Sequence, residues 1–315
     1  MSEISERLRA EFGAGDAQRD AGLTTPANIR RYDGIRYGED AEWNVLDVYR
    51  PRYAFGKKLP VILIVHGGAW VYGTKEVYQF YGMELASKGF AVVNYTYRLA
   101  PEHPFPASLE DSVRVCRWIL AQSDTFLFDT DRIFAVGDSA GGHLLGLLCA
   151  FLCRPDYAAR FRFSAPKGFR LRGIGMNCGI YDPFAAGAGS DALDREALMA
   201  DLLGAKKDDP SARSLTDVLS WVSAAFPPMM IVSAKGDYLL PQAALLEEAC
   251  RKAEVRYVTR IYGDADTPLY HVFHCNLREP AGRVCNDEEC AFFRKLSSED
   301  AERSSLAYRK NEPHG

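Results

Sequence analysis

The sequence lacks the features that would direct it to a membrane or to nucleic acid. Its longest apolar runs, such as Pro60–Val65, have the length of a strand, whereas a transmembrane helix needs about 20 apolar residues. Charge of one sign is not in excess, because 38 basic residues balance 42 acidic ones and the net charge is −4. This balance provides no electrostatic attraction to nucleic acid or to an anionic membrane surface, and we expect neither as a partner.

The N-terminus lacks a targeting signal, and the cysteines lack the spacing of a metal site. The opening stretch MSEISERLRAEFGAGDAQRD is charged and has no apolar segment of a secretory signal, which predicts a cytoplasmic protein. The 8 cysteines fit that compartment as reduced thiols, although their even number leaves disulfides open. Cys149 and Cys153 lie in the apolar run LLGLLCAFLC, where cysteine behaves as a small hydrophobe. No His/Cys quartet has zinc spacing, so we expect no metal site. The serine chemistry considered below needs no organic cofactor, and we expect none.

The chain does contain a regular alternation of strand-like and helix-like segments. The β-branched run Val61–Val65 is typical of a strand buried on both faces. Strands are predicted at Ile29–Tyr37, Asn44–Tyr49, Val61–Val65, Ala91–Tyr97, Arg132–Val136, Gly173–Cys178, Met229–Ala234 and Val255–Tyr262. Helices are predicted around Ile4–Phe12 and at Val77–Lys88, Leu109–Gln122, His143–Leu152, Gln242–Ala253 and Glu288–Leu296. This order predicts a single α/β domain over residues 1–315, with a mostly parallel central sheet and helices on both faces.

One stretch interrupts the alternation. Residues Tyr181–Phe226 contain helical segments but no obvious strand, and they lie between two predicted strands. We therefore expect an excursion above the sheet, at the edge where ligands bind in open α/β proteins. The excursion is a candidate cap over an active site, with an enlarged crossover loop as the alternative.

A serine lies between two glycines where a strand ends and a helix begins. The segment Gly137–Gly141, GDSAG, matches the pattern G-x-S-x-G. A serine hydroxyl is a weak nucleophile and needs an exposed position and a base to remove its proton. Glycines on either side leave room for the sharp turn that would expose Ser139, and the helix that follows favours negative charge at its N-terminus. We interpret Ser139 as a candidate nucleophile.

A second glycine turn follows the buried strand Val61–Val65. Its sequence is HGGAW, and its two glycines let the backbone approach a ligand and direct amides toward it. Acyl transfer needs donors aimed at the oxygen that becomes negative in the tetrahedral intermediate. We assign this oxyanion hole to the amides of Gly67, Gly68 and Ala140.

The base and its orienting acid are expected later in the chain, at the ends of further strands. Asp237 closes the strand Met229–Ala234, and His271 lies in the loop after the last strand. The order Ser139, Asp237, His271 is that of an α/β-hydrolase. His274 is an alternative base, and the loop carboxylates Asp264 and Asp266 are alternative acids.

Together these motifs resemble the hormone-sensitive-lipase-like branch of the α/β-hydrolases, which comprises carboxylesterases and acetyl esterases. The similarity rests on HGGAW, YTYRLAPEHPFPASLED, GDSAGG, the aspartate closing FPPMMIVSAKGD, and HVF, and it covers roughly residues 60–275. The resemblance implies a Ser139–His271–Asp237 triad with the oxyanion hole assigned above. It also implies a small helical cap built from residues 1–28 and 181–226.

The substrate is less well defined than the reaction. Trp70 and Tyr72 follow the glycine turn and are candidate substrate contacts, although most aromatics in such domains belong to the core. No large apolar cap is visible, so we expect hydrolysis of short, acetyl-like esters of small molecules, with acylated oligosaccharides as one substrate class. Amide hydrolysis of the arylformamidase type and a catalytically silent binding protein are the alternatives. The oligomeric state stays open, a homodimer included.

Overall fold

The computed structural model describes residues 2–185 and 194–310. The strands are β1 Ile29–Arg36, β2 Val45–Pro51, β3 Leu59–Val65, β4 Ala91–Tyr95, β5 Phe128–Asp138, β6 Leu171–Asn177, β7 Met229–Ala234 and β8 Tyr257–Tyr262. The helices are α1 Glu3–Asp20, α2 Gln79–Ser87, α3 Ala107–Ala121, α4 Ala140–Cys153, α5 Pro155–Ala158, α6 Arg195–Leu203, α7 Pro210–Thr216, α8 Leu240–Lys252 and α9 Pro280–Lys310.

All eight strands form one sheet in the order β1-β2-β4-β3-β5-β6-β7-β8. The pairs β1–β2 and β2–β4 are antiparallel. The remaining pairs are all parallel: β3–β4, β3–β5, β5–β6, β6–β7 and β7–β8. The carboxyl ends of the parallel strands therefore meet at one edge of the sheet. The predicted α/β fold with a mostly parallel sheet is confirmed.

The central strand β3 shows why the sheet is covered on both faces. Leu63 belongs to a buried cluster that includes residues of α3, α4 and α8, whereas Ile62 and Ile64 belong to a cluster with residues of α2 and α9. Successive side chains of a strand point to opposite faces, so an unbroken apolar run needs two covering layers. This double burial fixes the positions of the strand ends that carry the site.

The segment predicted as an excursion contains α6 and α7, and its described part contains no strand. Residues 186–193 of the segment lie outside the described residues. The hydroxyls of Ser2 and Ser5 at the start of α1 both donate to the Asp201 carboxylate on α6. The amide of Phe105 donates to the carbonyl of Leu202 at 2.8 Å. The N-terminal helix and the excursion are thus in contact.

The described residues contain neither a membrane-spanning helix nor a disulfide. None of their helices combines the length and the apolar character needed to cross a membrane. All 8 cysteines lie in this part of the chain, and none forms a disulfide. Cys149 is fully buried on α4, as expected for a small apolar side chain.

The closing helix is much longer than the predicted segment Glu288–Leu296, because α9 spans Pro280–Lys310. Apolar periodicity identified only the stretch that packs on the sheet. Pro280 is favourable in the first turn of a helix, where its missing N–H is not needed, and it marks the true beginning of α9. The polar residues after Leu296 extend the helix without a periodic apolar signal.

One residue of α9 places a carboxyl group inside the protein. Glu289 is fully buried and accepts hydrogen bonds from the Asn177 Nδ2 and the Tyr81 hydroxyl, each at 3.0 Å. A Cβ atom on Gly175 would lie 1.9 Å from Glu289 Oε1, so glycine makes this approach to β6 possible. Burial raises the pKa of Glu289 to about 7. The hydrogen bonds from Asn177 and Tyr81 lower this pKa, but the charge of Asp138 adds to the effect of burial.

This raised pKa makes stability depend on pH. The unfolded chain ionises Glu289 near its ordinary pKa of 4.5, whereas the folded protein keeps the proton until about pH 7. The folded state therefore binds more protons in that interval, and this carboxyl lowers the unfolding free energy by up to about 3 kcal/mol as the pH rises through it. We expect Glu289→Gln to remove this part of the pH dependence, measured by urea unfolding at about pH 5 and about pH 8.

The matched control is Glu288→Gln. Glu288 is the preceding residue on α9, and its side chain is 43% exposed and pairs with Arg260. The control should keep the pH dependence of the parent protein. Equal pH dependence in the parent protein and in Glu289→Gln would contradict the prediction.

Candidate active site

The turn between β5 and α4 exposes Ser139 by bending sharply. Ser139 has φ +52° and ψ −123°, a conformation that costs energy in a residue with a side chain. A Cβ atom on Gly137 would lie 2.6 Å from the carbonyl oxygen of Gly141. A Cβ atom on Gly141 would lie 2.1 Å from the carbonyl oxygen of Val65 at the end of β3. Both glycines are needed for the backbone to close this turn.

Ser139 occupies the N-cap position of α4 but does not cap the helix. Serine at this position commonly accepts a hydrogen bond from an amide of the first turn. Here the side chain makes no such bond, and Ser139 is only half-buried. Ala140 is the first residue of α4, so its amide has no acceptor one turn earlier in the helix. Within the described part of the chain, the Ser139 hydroxyl and the Ala140 amide are thus both without a hydrogen-bond partner and adjoin each other at a helix N-terminus.

The second turn, after β3, orients its peptide groups through their carbonyls. The Gly67 carbonyl accepts a hydrogen bond from His66 Nδ1 at 2.8 Å. The Gly68 carbonyl accepts from the amides of Val71 and Tyr72, at 3.1 and 2.9 Å. A trans peptide directs its N–H away from its carbonyl, so the amides that follow these two carbonyls point to the other side. Those amides belong to Gly68 and Ala69.

The assignment of Gly67 as an oxyanion donor is wrong for this structure. The Gly67 amide donates to the Tyr78 hydroxyl at 2.9 Å, and Gly67 itself is buried. Within the described residues, the amides of Gly68 and Ala69 have no acceptor, and both residues are half-buried. Ala69 was missed because its sequence context does not show which amide is already bonded inside the protein.

The structure brings together the predicted base and acid. His271 Nδ1 donates to Asp237 Oδ1 at 2.9 Å, which leaves Nε2 of the imidazole as an acceptor. Asp237 follows β7 and its side chain is fully buried, whereas that of His271 is 18% exposed. The Leu239 amide also donates to Asp237 Oδ1, at 2.9 Å, and the Ser233 hydroxyl donates to Oδ2, at 3.0 Å.

These donors keep Asp237 ionised. Burial alone would raise the pKa of Asp237, but the hydrogen bond and charge of His271, the Leu239 amide and the Cys178 thiol together hold that pKa below its usual value. A buried anion beside Nδ1 stabilises an imidazolium and holds the tautomer that presents Nε2 as a base.

The alternative base and the alternative acids lie elsewhere. His274 is fully buried, its Nδ1 has no partner among the described residues, and burial lowers the pKa of His274 to about 3. Asp264 is exposed and accepts bonds from the amides of Asp266 and Thr267 within its own loop. Of the alternatives that the sequence left open, His271 and Asp237 are the pair in contact.

No hydrogen bond joins the proposed nucleophile, Ser139, to His271 in the part of the chain that the structure describes. The Ser139 hydroxyl forms no hydrogen bond with any residue that the structure describes. The charge of His271 nevertheless acts on the buried carboxyl of Asp138, the residue before Ser139. In free enzymes the bond between nucleophile and base is often long and shortens only when substrate binds.

The two aromatic residues predicted to contact substrate have partners inside the protein. Trp70 is 9% exposed, and its Nε1 donates to His143 Nδ1 at 3.1 Å. His143 Nε2 in turn donates to the Thr216 carbonyl on α7 at 2.6 Å, so His143 connects the glycine turn to the excursion. Tyr72 is half-buried and donates to Asp16 of α1 at 2.9 Å. The substrate roles of Trp70 and Tyr72 stay predictions.

Two groups of side chains have donor atoms close enough to share a metal ion. Within each group the ligand atoms lie within 4.8 Å of one another; the groups are Cys178, Asp237 and His271, and Asp138, His274 and Cys275. Both aspartates already accept hydrogen bonds, Asp237 from His271 and Asp138 from Tyr78.

The cavity of about 730 Å³ lined by Leu171, Pro228 and Arg256 lies at the amino ends of the strands, away from these residues.

Comparison with known proteins agrees with the resemblance predicted from the motifs. The chain is 36% identical over 127 residues to Esterase LipC and 27% identical over 244 residues to Esterase LipQ, both from Mycobacterium tuberculosis. These alignments cover 40% and 72% of this chain, but 31% and 56% of the two relatives. The chain thus spans less than two thirds of either relative.

Solved structures agree with the fold over nearly the whole chain. Esterase B from Lactobacillus rhamnosis is 25% identical, with a TM-score of 0.88 over 96% of this chain and 98% of that chain. An esterase from Pyrobaculum calidifontis has a TM-score of 0.75 at 22% identity, over 94% of each chain. Residues 46–249 match the BD-FAE family. That match covers more than half of the chain, and the protein is therefore a member of the BD-FAE family within the α/β-hydrolase superfamily.

Proposed function

We propose that the protein is a serine carboxylesterase that uses Ser139, His271 and Asp237. The observation that carries this proposal is the 2.9 Å hydrogen bond between His271 and the buried, ionised Asp237. This pair lies at the same edge of the sheet as Ser139, whose side chain does not cap α4. An imidazole held by a buried carboxylate is the base that a serine nucleophile needs. The names of the esterase relatives support the same reaction.

In the proposed reaction Ser139 Oγ attacks the ester carbonyl, and its proton passes to His271 Nε2. The carbonyl oxygen becomes an oxyanion, which accepts hydrogen bonds from the amides of Gly68, Ala69 and Ala140. His271 then gives the proton to the departing alcohol, leaving an acyl group on Ser139. Water activated by His271 attacks this acyl-enzyme and releases the acid.

We further propose that the acyl group is short. Trp70 directly follows Ala69 in the chain, and its hydrogen bond to His143 limits the rotation of the indole. In this proposal the indole forms one wall of the acyl pocket. A fixed wall leaves little room for a long chain. Related Esterase B from Lactobacillus rhamnosis has a structure described as inhibited by a C4-C4 tributyrin phosphonate, which agrees with short acyl groups in this fold. Acylated oligosaccharides remain one proposed substrate class.

Replacing the nucleophile tests the reaction. Ser139→Ala should lower kcat/KM for p-nitrophenyl acetate by at least about a thousand-fold, because no hydroxyl remains to form the acyl-enzyme. A fluorophosphonate probe should label the parent protein and not this variant. The control Ser87→Ala removes a hydroxyl at the end of α2 and should behave as the parent. A folded parent protein that resists labelling would indicate a binding protein instead of an esterase.

A pair of glutamine variants tests the choice of base. His271→Gln removes the imidazole that is hydrogen-bonded to Asp237, so kcat should fall by about a thousand-fold. Because this side chain is partly exposed, Tm should change little. His274→Gln alters a fully buried side chain and should lower Tm, while the folded fraction keeps most of its kcat. Circular dichroism melting and active-site titration measure the two quantities. Equal loss of kcat per folded molecule in both variants would exclude the assignment of His271 as the base.

A substrate panel tests the acyl group and the leaving group. The fixed Trp70 wall predicts the highest kcat/KM for acetyl to butyryl p-nitrophenyl esters, with a fall of roughly tenfold or more for longer chains. Trp70→Ala should flatten this chain-length profile. Release of acetate from acetylated xylo-oligosaccharides measures action on sugars, and N-formylkynurenine measures amide hydrolysis. A parent profile that rises with chain length would rule out the short-acyl proposal.

A further inference from the structure

A chain of hydrogen bonds joins the residue before the nucleophile to the oxyanion turn. Asp138, the first of the two variable residues in the G-x-S-x-G motif, accepts a hydrogen bond from the Tyr78 hydroxyl on Oδ2 at 2.7 Å. The Tyr78 oxygen in turn accepts the Gly67 amide at 2.9 Å. Asp138 and Tyr78 are both nearly fully buried, so water does not compete for either bond.

The direction of each bond is determined by chemistry. A hydroxyl has one proton, and an ionised carboxylate can only accept. The Tyr78 proton therefore goes to Asp138, and its lone pair remains for the Gly67 amide. Without the carboxylate, the hydroxyl could rotate and present its proton to that amide.

These bonds fix the peptide group between His66 and Gly67 at both ends. Its N–H donates to Tyr78, and its carbonyl oxygen accepts the Tyr97 hydroxyl at 2.7 Å. The next peptide carries the Gly68 amide, and its rotation is limited by the bond from His66 Nδ1 to the Gly67 carbonyl. A flip of the first peptide would move both His66 and Gly67, and the Gly68 amide would turn with them.

Close packing makes Gly67 necessary here. A Cβ atom on Gly67 would lie 2.7 Å from Asp138 Oδ2 and 3.0 Å from the Tyr78 hydroxyl. The absence of a side chain therefore lets the nucleophile turn and the oxyanion turn share this hydrogen-bond chain.

We propose that Tyr78, oriented by Asp138, is a positioning residue that holds the Gly67 peptide so that the amides of Gly68 and Ala69 face the reacting carbonyl. Neither residue touches the substrate in this proposal. The catalytic part of the inference rests on the proposed function. The orientation of the oxyanion turn does not depend on that function, and it can be measured without catalysis.

The protein contains a matched control for Tyr78. Tyr81, three residues later on α2, is also nearly fully buried and donates its hydroxyl to a buried carboxyl group, that of Glu289, at 3.0 Å. Among the described residues, its hydroxyl forms no hydrogen bond with the oxyanion turn. Tyr78→Phe and Tyr81→Phe each remove one buried hydroxyl, so a similar loss of Tm is expected for both.

The kinetic test compares the two variants with substrate and with a trifluoromethyl ketone, which forms a tetrahedral adduct with a serine nucleophile. Tyr78→Phe should lower kcat by about tenfold or more at nearly constant KM, which is less than the roughly hundredfold cost of deleting an oxyanion donor. Its affinity for the ketone should fall by a similar factor. Tyr81→Phe should change neither value by more than about twofold. Asp138→Asn keeps an acceptor for Tyr78 and should lose less kcat than Asp138→Ala.

A second measurement follows the turn itself. Hydrogen exchange of the Gly67 amide, observed by NMR in glycine-labelled protein, should accelerate in Tyr78→Phe and not in Tyr81→Phe. If the parent protein resists the fluorophosphonate probe, the esterase proposal fails while this exchange measurement still tests the positioning role. Equal kcat, ketone affinity and Gly67 exchange in the two phenylalanine variants would overturn the positioning role even in an active esterase.

Discussion

The approach of two backbone turns at glycine is the constraint on which the site depends. Gly141, in the first turn of α4, lies so close to the end of β3 that a Cβ atom would overlap the carbonyl oxygens of Val65 and His66. The nucleophile turn therefore packs directly against the oxyanion turn, backbone to backbone. Parallel pairing of β3 with β5 brings the two turns to the same edge, and glycine sets the distance between them.

Polar side chains buried behind these turns hold the peptide groups of the turns in place, and their burial shifts their pKa values toward the neutral forms. Burial raises the pKa of Asp138 to about 6 and lowers the pKa values of His66 and His143 to about 4. The two histidines are therefore neutral, and each uses a single tautomer because its partner is a carbonyl oxygen. Neutral imidazoles can hold peptides and loops in place without adding a positive charge that would compete with His271 for Asp237.

Much of this arrangement could be predicted from the residues, and the remainder depended on partners that are distant in the chain. The strand runs, the order of Ser139, Asp237 and His271, and the short turns between elements are local signals. Which amides of the HGGAW turn are free could not be predicted, since Tyr78 and Tyr97 come from later elements. The choice between His271 and His274 also required the tertiary structure, where a 3-10 turn at Phe273–Cys275 places His274 in the interior.

The sequence by itself determined the alternation of strands and helices, the glycines at the two turns and the family to which the motifs point, because each depends on spacing along the chain. Only the tertiary structure decided that the Gly67 amide is bonded to Tyr78 and that Glu289 enters the core from a helix beyond the motifs. It also decided that the Ala69 amide has no acceptor among the described residues. Hydrogen bonds between distant residues form only after packing has brought their atoms within about 3 Å. The order of residues along the chain does not specify that distance.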